Sequence, residues 1–166
     1  MEWEDKMKLL KTLALAVAAT LLGVVVAQAQ EVTLTLHHFL GPKSPAHAKF
    51  LEPWAKEIEA QSGGRIKIEL FPSMALGGKP PELYGQVRDG VADIVWTLPG
   101  YTAGRFPSVE VFELPFMMQN PEATSKALWD YVQQYAGAEF KDVKPLAFHV
   151  HGDGVLHMTN KPIRTA

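Results

Sequence analysis

Residues 31–71, EVTLTLHHFLGPKSPAHAKFLEPWAKEIEAQSGGRIKIELF, decide the fold. Two hydrophobic periods alternate within them. Glu31 to Phe39 sets Val32, Leu34 and Leu36 against Thr33, Thr35 and His37, the period of two that marks a strand. GPKSP then turns the chain, with Ser44 placed as a helix N-cap and Pro45 at the first helical position. From Ala46 to Gln61 the period changes to that of a helix, and Phe50, Leu51, Trp54, Ala55 and Ile58 form one apolar face. Pro53 removes one backbone donor and is expected to kink this helix. Ser62-Gly63-Gly64 stops it, and Arg65 to Phe71 alternates again, with Ile66, Ile68 and Leu70 on one side. Strand, helix and strand in this order predict a parallel pair joined by a crossover.

The rest of the chain continues the alternation. FPSMALGGKPP reads as a loop, and Glu82 to Asp89 as a short helix stopped by Gly90. VADIVW, residues 91–96, is an apolar run of strand length, expected to be buried on both faces. Asn120-Pro121 opens a further helix on which Leu128, Tyr131, Val132 and Tyr135 share a face. PLAFHVH, residues 145–151, reads as a strand leaving the unit. The class is therefore α/β with a largely parallel sheet. Ligands of such sheets bind outside the carboxyl ends of the strands, where the loops after residues 38, 71 and 96 fall.

One of those loops is unusual. WTLPGYTAGRFPSVEVFELPFMM, residues 96–118, contains three prolines and five aromatics but one basic and two acidic side chains. It is too apolar for a solvated loop and too broken for one helix. Proline-locked aromatics at a strand end make a pre-formed apolar wall that needs little ordering when a ligand arrives. Trp96 and Tyr101 are candidates for ligand contact on that ground, whereas Trp54 and Trp129 lie at helical spacing and read as core.

Composition narrows the chemistry. The 166 residues have a formal net charge of −2 and a pI near 6.3, which recommends neither nucleic acid nor an anionic membrane as partner. There is no cysteine, so disulfides, thiol nucleophiles and thiolate metal sites are excluded. Histidine is the reactive residue in supply, at positions 37, 38, 47, 149, 151 and 157. His149 and His151 share a strand-like spacing, and a secreted metal-dependent hydrolase built on them is the alternative from another class. No H-E-x-x-H run supports it, there is no G-x-S-x-G, and the glycine pairs lack phosphate-loop spacing. No cofactor, metal or catalytic residue is expected. Asp89 and Asp93 flank the Gly90 turn and read as structural.

With these residues on view, the chain resembles the periplasmic solute-binding proteins of TRAP-type transporters, the DctP-like family. The resemblance rests on GRIKIELFPSMALGG, PPELYGQVRDGVADIVW and LPGYTAGRFPSVEVFELPFMM, and runs from about Glu31 to the last residue. It implies an α/β lobe of a periplasmic solute-binding protein, its largely parallel sheet flanked by helices, with the second lobe mostly missing. By the same resemblance residues 30–144 are the first lobe and residues 145–166 the crossover into the second. It implies capture of a small organic acid, a carboxylate, and delivery to the membrane permease of a TRAP transporter, with no enzymatic activity. A non-transporting sensor or scaffold lobe is the further alternative.

Carried over residue by residue, His38 and Phe39 fall in the ligand-contacting loop after the first strand, and Trp96, Leu98 and Tyr101 in the segment lining the cleft. His151, Gly152 and Val155 fall where the chain crosses between lobes and meets the ligand again. An apolar wall at Leu98 and Tyr101 points to a monocarboxylate with a hydrophobic or aromatic part. Leu114-Pro115-Phe116 reads as a buried corner that directs the chain after the cleft, and other parts of residues 109–118 and 145–151 as faces toward the second lobe. The family continues past Pro162 through a segment bearing the arginine that pairs with the ligand carboxylate, so this chain is expected to be a truncated form.

The first 29 residues give the compartment. Lys6, Lys8 and Lys11 precede an apolar run from Leu13 to Val26 and then Ala27-Gln28-Ala29: a basic region, an apolar region and an A-x-A site, as in a secretory signal peptide. The run is shorter than the roughly 20 residues a membrane span needs. Met7 is a second candidate start. Export to the periplasm with cleavage after Ala29 is expected, leaving Gln30 as the new terminus. N-terminal sequencing of the periplasmic protein checks this, and a full leader retained on membranes would refute it.

Overall fold

The computed structural model describes Trp3, residues 32–118, residues 120–152 and Thr159; the leader, Val155 and the other positions lie outside that description. Three parallel strands form the sheet: β1 (Val32–His38), β2 (Ile66–Phe71) and β3 (Ile94–Trp96), in the order β2-β1-β3. Leu36 pairs with Leu70 on one side and with Ile94 on the other, so β1 is the centre and its last three residues are buried. Because all strands run the same way, their carboxyl ends share one edge. Phe71, His38 and Trp96 stand there in register with their neighbours.

The crossover between β1 and β2 is helical, as the changing period requires. Ser44 caps it, its hydroxyl accepting from the His47 amide at 3.3 Å. A π turn (His47–Leu51) leads into α1 (Glu52–Gln61), with Pro53 in the first turn of the regular helix. Proline cannot donate to the preceding turn, and one extra residue in that turn is how the helix accommodates it. The extra residue also rotates what lies before it. Leu51 and Ala55 are buried as expected, but Phe50 turns out to solvent and His47 takes the inward position.

After β2 come α2 (Leu83–Arg88) and β3, and then the broken stretch, in which Pro107–Glu110 form α3. The last helix, α4 (Pro121–Tyr131), starts at Asn120, whose side chain accepts from the Ala123 amide at 2.9 Å, and runs into a second π turn (Val132–Ala136). Here too the phase shifts. Leu128, Val132 and Ala136 are buried, while Tyr135, expected on the same face, is 71% exposed. Phe106, Val109, Phe140 and Tyr84 complete this helical core, with Phe106 stacked on Phe140 at 4.7 Å.

Three further expectations are corrected. Residues 91–93 do not join β3: the Val91 and Ala92 amides bond back to the Gln86 carbonyl, and β3 is half-buried rather than buried on both faces. Residues 145–151 form no strand. Phe148 anchors on Phe140 and Trp129, and the Val150 amide donates to Ser125, so this segment lies against helices where no ladder partner is available. Leu114-Pro115-Phe116 is not a buried corner. Phe106, Val109 and Phe112 do the packing, and Phe116 lies beyond them in a left-handed turn, 92% exposed.

Asp93 holds the entry to β3. Its carboxylate accepts from both the amide and the hydroxyl of Thr35, at 2.7 and 2.8 Å, and the Asp93 amide donates to the same hydroxyl at 3.0 Å. These hydrogen bonds, led by the Thr35 amide, hold the carboxyl below its ordinary range. Asp93→Asn is expected to lower stability by about 1 kcal/mol, the scale of an exposed charge-assisted bond. The folded-state shift is downward, so the contribution is present above the unfolded carboxylate range and lost as pH falls through the folded value. Denaturant melts of both proteins should differ by a constant amount at neutral pH and converge below about pH 4.

Candidate functional site

At the carboxyl edge of the sheet the loops after β1, β2 and β3 meet. Phe39 lies flat on Trp96, with centroids 5.6 Å apart and planes at 2°, and Tyr101 meets the Phe39 ring edge-on at 5.3 Å. His38 abuts the indole at 6.2 Å in a perpendicular arrangement. The structure thus brings together His38, Phe39, Trp96 and Tyr101 from two loops 57 residues apart, a continuous aromatic wall of which Tyr101 is 37% exposed. The sequence reading did not include His149 in the wall. The Trp96 indole N–H donates to His149 Nε2 at 2.8 Å.

The wall is held from behind by groups whose roles are not visible locally. Leu98 opens the short 3₁₀ turn Pro99–Thr102, and its carbonyl accepts from the Tyr101 amide at 3.1 Å. Glu113 accepts from the Gly100 amide at 3.0 Å, and a Cβ at position 100 would displace that carboxylate. Glu110 accepts from the Gly104 and Phe106 amides. The only two acids of the broken stretch are therefore its internal fasteners.

The loop after β2 is tied down in the same way. His37 Nδ1–H donates to Gln86 Oε1 at 2.7 Å, its Nε2 accepts from the Leu76 amide at 3.3 Å, and Gln86 Nε2 donates to the Gly77 carbonyl at 3.0 Å. Ser73 and Met74, both in left-handed backbone, donate to Leu40 and His38 carbonyls. His37 is accordingly a scaffold residue.

His38 differs. Its Nε2 shares a hydrogen bond with His47 Nδ1 at 2.9 Å, and its Nδ1 is buried without a protein partner. Burial, with the neighbouring His47 and His37 adding to it, lowers its pKa to about 4. His151 is exposed, its Nδ1 bonded to the Gly152 carbonyl at 2.7 Å, and Gly152 is exposed beside it. Neither has a contact with the wall among the described residues. Val155 lies outside them. Among the described residues no three histidines, cysteines or acids are grouped to hold a metal. His149, moreover, has its Nε2 occupied by the indole and its Nδ1 by the Val150 carbonyl.

A parallel sheet with helices on it and a rigid, uncharged aromatic wall where its strands end defines a ligand-binding lobe. The sequence pattern of DctP, the bacterial extracellular solute-binding protein family 7, matches residues 36–166, and the chain belongs to that family. The family and its structural neighbours are solute-binding receptors, not enzymes. The chain is 55% identical to a TRAP solute binding protein from Rhodoferax ferrireducens T118, crystallised with copurified benzoate. The superposition has a TM-score of 0.71 and covers 73% of this chain and 38% of that one. It is 54% identical, with a TM-score of 0.69, to a marine metagenome TRAP solute binding protein specific for aromatic acid ligands, in complex with 3-hydroxybenzoate; 72% of this chain and 37% of that one are covered. Among curated relatives, the "Outer membrane transporter protein TsaT" of Comamonas testosteroni is 32% identical over 139 residues, 82% of this chain and 40% of the relative. The chain thus spans well under half the length of these relatives. Among the described residues no helix is long and apolar enough to cross a membrane.

The buried His38 sets a pH dependence. Its folded pKa lies below the ordinary value of 6.5, so the unfolded chain takes up the proton first and stability falls as pH drops from about 6.5 to about 4. The loss attributable to this group is on the order of 2–3 kcal/mol. His38→Gln, which keeps an amide near the Nε2 position, should flatten the fall in denaturant melts over this range. An unchanged slope would assign the acid sensitivity elsewhere.

Proposed function

We propose that the chain is the first lobe of a periplasmic TRAP receptor that captures aromatic monocarboxylates and delivers them to a membrane permease. The observation that carries this reading is the wall of Phe39, Trp96 and Tyr101 at the strand ends. Its three rings offer stacking surface, its indole N–H is already engaged, and among the described residues no lysine or arginine stands in it. Such a surface favours a flat apolar ring over an aliphatic dicarboxylate, whose second charge would find no partner there. The benzoate and 3-hydroxybenzoate held by two relatives at 54–55% identity support the same class.

In this reading His38 offers its unpartnered Nδ1 to a polar atom of the ligand, and Leu98 extends the wall. His151, Gly152 and Val155 approach from the crossover, and the strong contact to the carboxylate comes from the second lobe. Closure of two lobes removes the ligand from water, which strengthens that contact. The exposed Leu114, Phe116 and Met117 are then surface that the second lobe covers.

Grafting residues 36–166 onto the remainder of the Rhodoferax ferrireducens receptor tests the reading at family length. Calorimetric titration should show benzoate and 3-hydroxybenzoate binding well ahead of succinate. Tyr101→Ala should weaken benzoate by about 1–3 kcal/mol with the fold intact, through lost stacking area and a lost hydroxyl contact. Trp96→Ala should cost affinity and stability together. Equal or better binding of succinate, or a Tyr101→Ala protein of undiminished affinity, would overturn the assignment.

A further inference from the structure

Among the described residues the Trp96 indole is located by three contacts, and one of them is directional. Phe39 covers one face and His38 meets it perpendicularly; both are non-directional ring contacts. The third is the hydrogen bond to His149 Nε2 at 2.8 Å, in which the two ring planes are inclined by only 22° with centroids 5.5 Å apart. An indole nitrogen can only donate, and a carbonyl oxygen can only accept. His149 lies between one of each, since its Nδ1 is 3.0 Å from the Val150 carbonyl. One tautomer alone satisfies both partners: hydrogen on Nδ1 and a lone pair on Nε2.

We propose that His149 is the positioning residue of the aromatic wall: its Nε2 lone pair fixes the Trp96 ring, and protonation of that nitrogen releases it. A doubly protonated imidazole would set one N–H against another, so the bond cannot survive the change. What is released is more than a side chain. His149 sits on residues 145–152, which are bound to the helical layer through Phe148 on Phe140 and the Val150 amide on Ser125. The bond to Trp96 joins this segment to the sheet edge, so protonation of His149 uncouples the helical layer from the wall. The titratable groups about it leave His149 to act alone. From β1, His38 lies against the indole with its pKa held at about 4. The contact from α4 is Ser125, which is uncharged, and along the segment itself His151 is turned to the Gly152 carbonyl.

Only the consequence for ligand affinity rests on the aromatic-acid reading; the bond and its acid sensitivity do not, and a ligand-free measurement separates them. In the nitrogen-15-labelled full chain the Trp96 indole cross-peak is the one missing from Trp96→Phe. As the pH is lowered it should move upfield in step with the His149 ring resonances, while the other tryptophan peaks stay in place. His149→Gln, whose side-chain oxygen accepts the same N–H, should keep the downfield position at high and at low pH. His149→Leu should lose it at both. A Trp96 peak indifferent to pH in the unmodified chain, or one that still titrates in His149→Gln, overturns the proposal, and these two arms decide it even if His149→Leu does not fold. In the family-length graft, benzoate affinity should fall in acid for His149 and not for Gln at that position. If benzoate does not bind at all, the ligand assignment fails while the indole titration still stands or falls by itself.

Discussion

Parallel pairing with β1 in the middle is the constraint from which the rest follows. An antiparallel arrangement would send successive loops to opposite edges; three parallel strands send all of them to one. Every group in the candidate site, from His38 to Tyr101, is there because its strand ends at that edge. The pairing also explains why so much hydrogen bonding is invested in fastening loops. Each must turn sharply at a crowded edge, and His37, Gln86, Glu110 and Glu113 supply acceptors and donors that a ladder would otherwise provide.

A second consequence is that rigidity at the site comes from carboxylates and amides that never face a ligand. The 96–118 stretch carries two acids, and both are turned inward onto backbone amides. The surface left for recognition is therefore nearly free of charge. Within the wall the indole N–H is taken by His149, and His38 Nδ1 is left buried without a protein partner.

Much of this was legible in the sequence, and the limits have physical causes. β1 and β2 begin within one residue of the positions their alternation predicts, and the Ser44 and Asn120 caps are where residue type placed them. These are local properties. Phe50 and Tyr135 were misplaced for one shared reason: each lies in a π turn, and a helical face read at 3.6 residues per turn loses phase there. Pro53 hinted at the first of these; nothing near Tyr135 signals the second. Strand-end position marked Trp96 and Tyr101, and the family resemblance marked His38 and Phe39, but His47, Gln86 and His149 act across separations of 9, 49 and 53 residues that no pattern in one chain reveals. The PLAFHVH alternation misled because alternation shows what a segment could bury, and pairing needs an open edge as well.

Two adjacent, identical side chains in β1 have been assigned opposite duties. His37 braces the loop after β2, and His38 stands beside the indole with a free ring nitrogen. They can do so because successive residues of a strand point to opposite sides. To a point mutation the pair looks redundant, yet neither imidazole can stand in for the other. A one-residue insertion or deletion within β1 would leave the His-His dipeptide intact and exchange its two sides, turning the brace toward the indole and its neighbour toward the loop after β2. In this protein the reading frame of the pleat carries information that the composition of the strand does not.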